Sequence, residues 1–370
     1  KGEVTYRHKL ALRRAWRQRL EIALLRPVAA ILGGERAARW VEGLLPVDWV
    51  AAGLLEAARP DVVVSHSAIY DGADTEILKL ARRARIPTIL QVASFDTLSS
   101  KGGPLVRPDV VAVWGDASRA HAIERHGFRP EQVVVTGPCH FDYGPRSAPP
   151  LDPIPGFPER RLILIAGTSL AYWSDEHRMV QQITDWARDR GVHVWYRPHP
   201  RTLGQSIVMP GSRCGLTVDT SGLDAPPAHY RRLLEQAVCV VAAFSTLCIE
   251  AALMGKPSLI VAFGASTGGT EAWVSNGELR ERPAAGRLVD HAGFAHMAEI
   301  VAWDQITVCR SEAALFDALA LEIAVPRWGD EVMLRESRAE ILRHSADHIA
   351  HCLDGKAVER MVDLIERVAR

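Results

Sequence analysis

The sequence predicts an α/β fold with two Rossmann-like domains, and three observations lead there. From Pro60 onward, short β-branched runs alternate with helical stretches. These runs are continuously apolar, as in parallel strands covered on both faces. The alternation stops at Pro145–Pro158, where six prolines occur in fourteen residues, and restarts at Arg161. A segment so rich in proline cannot hold regular structure and reads as a linker between domains.

Taken in order, residues 1–58 read as a helical N-terminal segment. Arg7, His8, Lys9, Arg13, Arg14, Arg17 and Arg19 interleave there with Leu10, Leu12, Trp16 and Leu20. A solvated helix packed through one face is the favoured reading. A basic amphipathic helix lying on an anionic membrane is the alternative. Residues 59–144 form the first domain, with strands expected at Asp61–Ser65, Pro87–Val92, Val110–Trp114 and Gln132–Thr136. Helices are expected at Thr75–Arg85 and Ala117–His126. The second domain, 160–350, follows the linker at 145–159. Its strands are expected at Arg161–Gly167, Val192–Arg197, Cys239–Ala243, Pro257–Phe263 and 305–309. Its helices are expected at Asp175–Arg190, Tyr230–Gln236, Thr246–Met254 and 311–322, and helical pattern continues from 328 into a closing helix at 351–370. The first domain shows few strands, and Gly33-Gly34 falls in helical sequence rather than in an opening strand–loop. Ligands of doubly wound sheets bind beyond the carboxyl ends of the strands, so the expected site is a cleft between the domains.

Composition narrows the function classes. The chain has 370 residues, 48% hydrophobic and 24% charged, enough for a substantial core. Lys plus Arg equals Asp plus Glu at 44 each, which gives no support to a large nucleic-acid footprint. The six cysteines, at 139, 214, 239, 248, 309 and 352, form no C-x-x-C pair and are expected reduced, in a cytoplasmic protein. No apolar run approaches the roughly 20 residues that span a bilayer. Because it begins at Lys1, the chain is expected to be a fragment or a trimmed form.

The strongest local signal is Ala242–Val261, AAFSTLCIEAALMGKPSLIV. A buried strand runs into Ser245 and Thr246, which open a helix and can offer hydroxyls and main-chain N–H groups to a phosphate. Glu250 lies one turn further on Thr246's face, placed for ribose hydroxyls. A Ser/Thr cap with an ordinary helical glutamate is the competing reading. Next comes Tyr196-Arg197-Pro198-His199-Pro200, in which prolines stiffen a loop at a strand's carboxyl end. A cation and an imidazole held there suit a diphosphate or a leaving group. Gly167-Thr168-Ser169 could add backbone donors, against the reading of a plain turn. Gly264–Glu271, containing Gly268, Gly269 and Thr270, could let the backbone approach a ligand, against that of a flexible loop. In the first domain, Ser94–Gly102 (SFDTLSSKG) carries Asp96, a candidate base or acceptor-binding group, with Lys101 as its charge partner. His66 is a second candidate base. For both, an ordinary loop residue is the competing reading. The chain contains no Asp-x-Asp, no G-x-x-x-x-G-K-[ST] and no G-x-G-x-x-G, and no metal site is expected.

VWGDASRAHAIERHGFRPEQVVVTGPCHFD (113–142), YRPHP, FSTLCIEAALMGKPSLIV and DGKAVERMVDLI (354–365) resemble GT-B glycosyltransferases of bacteria. The nearer likeness is to transferases of surface-polysaccharide synthesis, including the branch of CDP-glycerol glycerophosphotransferases. It covers roughly residues 60–275 and 350–370. The resemblance implies a GT-B-like fold whose second domain holds a UDP-, CMP- or CDP-linked donor and whose first domain holds a glycan or lipid-linked acceptor. It implies no obligatory metal or cofactor. By carry-over, His199 would contact the donor phosphates, Ser245 and Thr246 the diphosphate, and Glu250 the ribose. The expected activity is a metal-independent glycosyltransferase using a nucleotide-activated sugar or polyol phosphate in bacterial surface-glycan synthesis, expected in the cytoplasm, with peripheral contact at the inner face of the plasma membrane as the alternative. The alternatives are a UDP-sugar 2-epimerase-like isomerase and a non-catalytic nucleotide-sugar or glycan-binding module. The glycine-rich opening of the family's first domain is absent, so its catalytic base is not carried over.

Overall fold

The computed structural model describes residues 35–44, 46–66, 69, 72–142, 161–168, 176–199, 215–219, 221, 227–243, 245–263, 270–275, 278–283, 297, 300–303, 305–324 and 354–370. The chain forms two compact units, one from 1–144 with 344–370 and the other from 145–343.

In the first unit, helices α1 (Glu35–Leu44) and α2 (Trp49–Ala58) precede a four-stranded sheet. Asp48 starts α2 by accepting the N–H groups of Val50 (2.7 Å) and Ala51 (3.1 Å). Strands β1 (Val63–Ser65), β2 (Thr88–Gln91), β3 (Val110–Val113) and β4 (Val133–Val135) lie side by side in sequence order, all parallel. Helix α3 (Gly72–Arg83) links β1 to β2, and α4 (Asp116–Ala120) runs into a π-helical turn at His121–Arg125 before β4. Successive residues of a strand face opposite ways, and β2 shows it. Leu90 packs with Val63, Leu78 and Ala81 on one side of the sheet. Ile89 packs on the other with Ala112 and with Met361 and Leu364 of the terminal helix, Ala357–Ala369. That helix is tied down by Arg360 Nε donating to the Thr136 carbonyl (2.8 Å) and Val358 N donating to Asp142 (2.6 Å).

The second unit holds a six-stranded parallel sheet. Its strands are β5 (Leu162–Ala166), β6 (His193–Arg197), β7 (Leu216–Val218), β8 (Ala237–Ala242), β9 (Ser258–Val261) and β12 (Ile306–Cys309). A hairpin of β10 (Thr270–Ser275) and β11 (Glu278–Pro283) stands apart from the sheet. Helices α5 (Glu176–Arg188), α6 (Pro227–Gln236), α7 (Leu247–Leu253) and α8 (Glu312–Ala324) complete it. The strands lie in the order β12-β9-β8-β5-β6-β7. Numbered within the unit and read from β7, that is 3-2-1-4-5-6, the order of dinucleotide-binding sheets. The strand order reverses between β5 and β8, the place at whose carboxyl ends sheets of this order bind their ligands. The core runs from Ile163, Ile165, Val194 and Tyr196 to Met179, Val180 and Ile183 of α5 and Leu315 and Leu319 of α8.

Strand β7 and the hairpin are additions to the expected elements. The hairpin also corrects one of them: Thr270 opens strand β10, paired with Pro283, and does not sit in a glycine loop. Gly268 and Gly269 lie outside the described residues, as do the proline-rich linker and the expected basic helix of residues 1–34. Cys139, Cys239, Cys248 and Cys309 are free thiols.

Candidate functional site

At the carboxyl end of β5 the chain turns at Gly167 under tight restraint. A Cβ on Gly167 would stand 2.7 Å from Glu176 Oε1 and 2.9 Å from both the Arg197 carbonyl oxygen and the His199 nitrogen. Only glycine fits so close an approach of three chain segments. The turn's N–H groups are engaged internally: Gly167 donates to the Arg197 carbonyl (2.8 Å) and Thr168 to Glu176 Oε2 (2.7 Å). This corrects the expectation that the Thr168 N–H faces an anion; Thr168 is buried within a packed turn. Ser169 lies outside the described residues.

Glu176, which opens α5, is the residue that sequence reasoning missed. It is 1% exposed and also accepts a bond from the Tyr196 hydroxyl at 2.5 Å. Burial pushes its carboxyl up to about 7, against the opposing pull of the Tyr196 and Thr168 bonds. The Tyr196 hydroxyl is raised in turn, by burial and by the neighbouring carboxylate. The only sequence signal was an acidic residue in a helix's first turn, a feature shared by most helices.

Alternation along β6 sends Tyr196 toward α5 and Arg197 to the opposite face, toward α6. There the Arg197 guanidinium lies 4.0 Å over the Tyr230 ring. Its buried Nε has no hydrogen-bond partner among the described residues. Next to it, His229 Nε2 meets Asp219 Oδ2 at 3.0 Å, and Asp219 Oδ1 also accepts from the Ser221 main chain (3.0 Å) and hydroxyl. The Ser221 and His229 hydrogen bonds hold the Asp219 carboxyl below the usual range against the opposing effect of its burial, which is the largest single influence. His199 is half-buried two residues beyond β6, with its main-chain nitrogen against Gly167.

Beyond β8, Ser245 Oγ accepts the Leu247 N–H (3.1 Å), leaving its own proton to donate. Thr246 is exposed and makes no side-chain cap bond, so Ser245 and not Thr246 caps α7. The Thr246 carbonyl accepts the Glu250 N–H (3.2 Å), so Glu250 stands one turn along, half-buried. Because β8 adjoins β5, and β5 adjoins β6, the sheet brings Ser245, Thr168, Arg197 and His199 to one edge of one unit. Thr168 and Ser245 follow the two strands that bound the reversal.

In the first unit the two acid–base candidates separate. His66 is exposed at the end of β1, its N–H bonded to Asp74 (3.2 Å), which also takes the Ser65 hydroxyl (2.8 Å). Asp96, the other candidate, is buried. It is 6% exposed, and its carboxylate accepts the Ser100 hydroxyl (2.7 Å) while its carbonyl accepts the Ser100 N–H (2.8 Å). It stands at the head of a π-helical turn at Thr97–Lys101, where its side chain makes no cap bond. The Lys101 side chain is outside the description. A further imidazole, His140, packs against Trp114 (4.8 Å) and Phe141 (4.2 Å). Burial, with a smaller push from His66, lowers it to about 4, so it is neutral near pH 7.

No family model matches the sequence, and no curated protein matches it. Solved structures do. S. aureus MnaA in its co-structure with UDP is 15% identical, with a TM-score of 0.56 over 85% of this chain and 78% of that one. A UDP-GlcNAc 2-epimerase from Neisseria meningitidis, bound to UDP-GlcNAc, is 13% identical, with a TM-score of 0.51 over 86% and 80%. The glycotransferase of kitacinnamycin is 14% identical, with a TM-score of 0.50 over 92% and 83%. The shared feature is the fold: this chain has the α/β architecture of the GT-B type, with Rossmann-like parallel sheets.

Proposed function

We propose that this chain binds a UDP-activated sugar in its second unit and transfers the sugar to a glycan or lipid-linked acceptor held by the first, in surface-glycan synthesis. One observation carries the reading. The reversal of strand order between β5 and β8 is flanked by Thr168 and Ser245, with Arg197 and His199 one strand away. That is where doubly wound sheets bind nucleotides. The Arg197 guanidinium, whose buried Nε lacks a partner among the described residues, suits a diphosphate oxygen. The hydroxyls of Ser245 and Thr246 would donate to the same group, and Glu250 would accept from the ribose.

In this reading, sugar transfer breaks the bond between the anomeric carbon and the diphosphate oxygen. Negative charge then gathers on the departing UDP. Arg197 and His199 would stabilise it by position and charge without a metal. The exposed His66 is the acceptor-side base candidate.

The second reading is a UDP-sugar 2-epimerase. It is favoured by the similarity to the Neisseria enzyme, which was solved with UDP-GlcNAc bound. Thermal shift with UDP, UDP-GlcNAc, CMP and CDP tests the donor site. A UDP-dependent rise that is lost in Arg197→Gln is expected, since ligand binding to the native state alone stabilises it. Absence of any rise removes both readings. Incubating UDP-GlcNAc without an acceptor then separates them: release of the 2-epimer replaces the transferase reading by the isomerase one.

A further inference from the structure

Three chain segments of the second unit converge on one buried carboxylate. Glu176, at the head of α5, accepts the Thr168 N–H from the turn after β5 (2.7 Å) and the Tyr196 hydroxyl from β6 (2.5 Å). The same turn grips the loop that follows β6, because the Gly167 N–H donates to the Arg197 carbonyl (2.8 Å). Glu176 Oε1, the Arg197 carbonyl oxygen and the His199 nitrogen all lie within 2.9 Å of where a Gly167 Cβ would stand. Among the described residues no cation pairs with the carboxylate. The other titratable and charged groups around it are few. On α5 itself, His177 packs edge-on to the Tyr196 ring (6.4 Å), and burial holds its imidazole below the usual value. From β6, the Arg197 guanidinium lies on the opposite face, over Tyr230. From the loop, His199 meets the turn through its main-chain nitrogen.

We propose that Glu176 is a positioning residue of the donor site, which clamps the turn after β5 to the Arg197–His199 loop and takes up a proton when the donor's diphosphate binds beside that turn. The inference rests on the donor reading given above. A nucleotide held at the carboxyl ends of β5 and β8 brings the negative charge of its diphosphate next to the turn that Glu176 supports. Burial has already pushed the Glu176 carboxyl up to about 7, so a small further push protonates it. A like charge several ångströms away, in surroundings shielded from water, raises a carboxyl by about one unit or more. The proton comes from solvent, and the clamp survives its arrival. Oε2 goes on accepting the Thr168 N–H, while Oε1–H donates to the Tyr196 oxygen. The loop therefore keeps its place while the charge that repels the donor is removed. A carboxylate that served the fold alone would bind no proton when the donor arrives.

The test is titration calorimetry of the full chain with UDP-GlcNAc between pH 6 and pH 8.5, in buffers of different ionisation enthalpy. The diphosphate of this probe keeps the same charge throughout that range, so any proton uptake belongs to the protein. Uptake of about half a proton per donor is expected at pH 7.5, with affinity falling about fivefold or more from pH 6 to pH 8.5. Glu176→Gln makes the same two bonds without a charge, and should bind with little uptake and an affinity nearly independent of pH. Glu176→Leu makes neither bond and should bind about tenfold or more weakly at every pH. Should the leucine variant fail to fold, the glutamine variant decides alone. Uptake in Glu176→Gln equal to the parent's would place the proton on another group and overturn the inference. Binding by the parent without uptake overturns it as well, and leaves the donor reading standing. No binding by the parent at any pH removes the donor reading, and the inference with it.

Discussion

Glu176 concentrates much of the second unit's local chemistry in one side chain. It joins α5 to the turn after β5, through the Thr168 N–H, and to β6, through the Tyr196 hydroxyl. A carboxylate so deeply buried is costly, and its value near 7 records that cost. The sign of the pH dependence follows. The folded carboxyl holds its proton more tightly than the unfolded one, so its contribution to stability is complete below the ordinary value of 4.5. It is lost as pH rises through about 7, to an extent of roughly 3 kcal/mol. Glu176→Gln imitates the protonated acid: its carbonyl accepts the Thr168 N–H and its amide donates to the Tyr196 oxygen. The melting temperature of the second unit should therefore fall between pH 5 and pH 8 in the parent by more than it does in Glu176→Gln. Parallel curves for the two proteins would show that Glu176 does not titrate in that window.

At the scale of elements, the turn Ala166–Thr168 depends on Gly167. Any Cβ there meets backbone atoms of the 197–199 loop, which cannot swing aside as a flexible side chain could. Gly167→Ala is expected to destabilise the second unit by about 2 kcal/mol or more through overpacking. It should also weaken UDP binding, because the displaced loop carries Arg197 and His199. Chemical denaturation and a UDP titration of the variant check both; unchanged stability would mean that the loop yields freely. The legibility of this site in the sequence varied with the range of the forces involved. Strands such as Leu162–Ala166 announce themselves because continuous apolar runs follow from burial on both faces. Arg197 was visible at the end of a predicted strand, and His199 and Ser245 as residues just past one. Glu176 was not, because what distinguishes it is contact with Tyr196, twenty residues away. The burial of Asp96 was hidden for the same reason: at a strand's end a carboxylate looks exposed, and its bonds to Ser100 depend on a π-helical turn that periodicity does not reveal. Strand β7, three residues long and only half-buried, lacks the apolar run that marks its neighbours.

Over the whole molecule, the chain closes the first unit with its last helix. Met361 and Leu364 bury themselves on Ile89 and Ala112, which belong to strands more than 240 residues earlier in the chain. The first sheet is therefore incomplete until the second unit's sequence has been traversed. Without the terminal helix, one apolar face of β2 and β3 would meet water. Each of the two large side chains contributes on the order of 2 kcal/mol when buried, against a total stability of about 5–15 kcal/mol for an ordinary domain. The bonds from Arg360 to the Thr136 carbonyl and from Val358 to Asp142 would go as well. Removing residues 354–370 should accordingly raise amide hydrogen exchange throughout β2 and β3 while leaving β5 and β8 protected, and Leu364→Ala should do so to a lesser degree, at about 2–4 kcal/mol. Equal loss of protection in both sheets would mean that the units unfold as one. No change in β2 and β3 would mean that the helix contributes little to the sheet it covers.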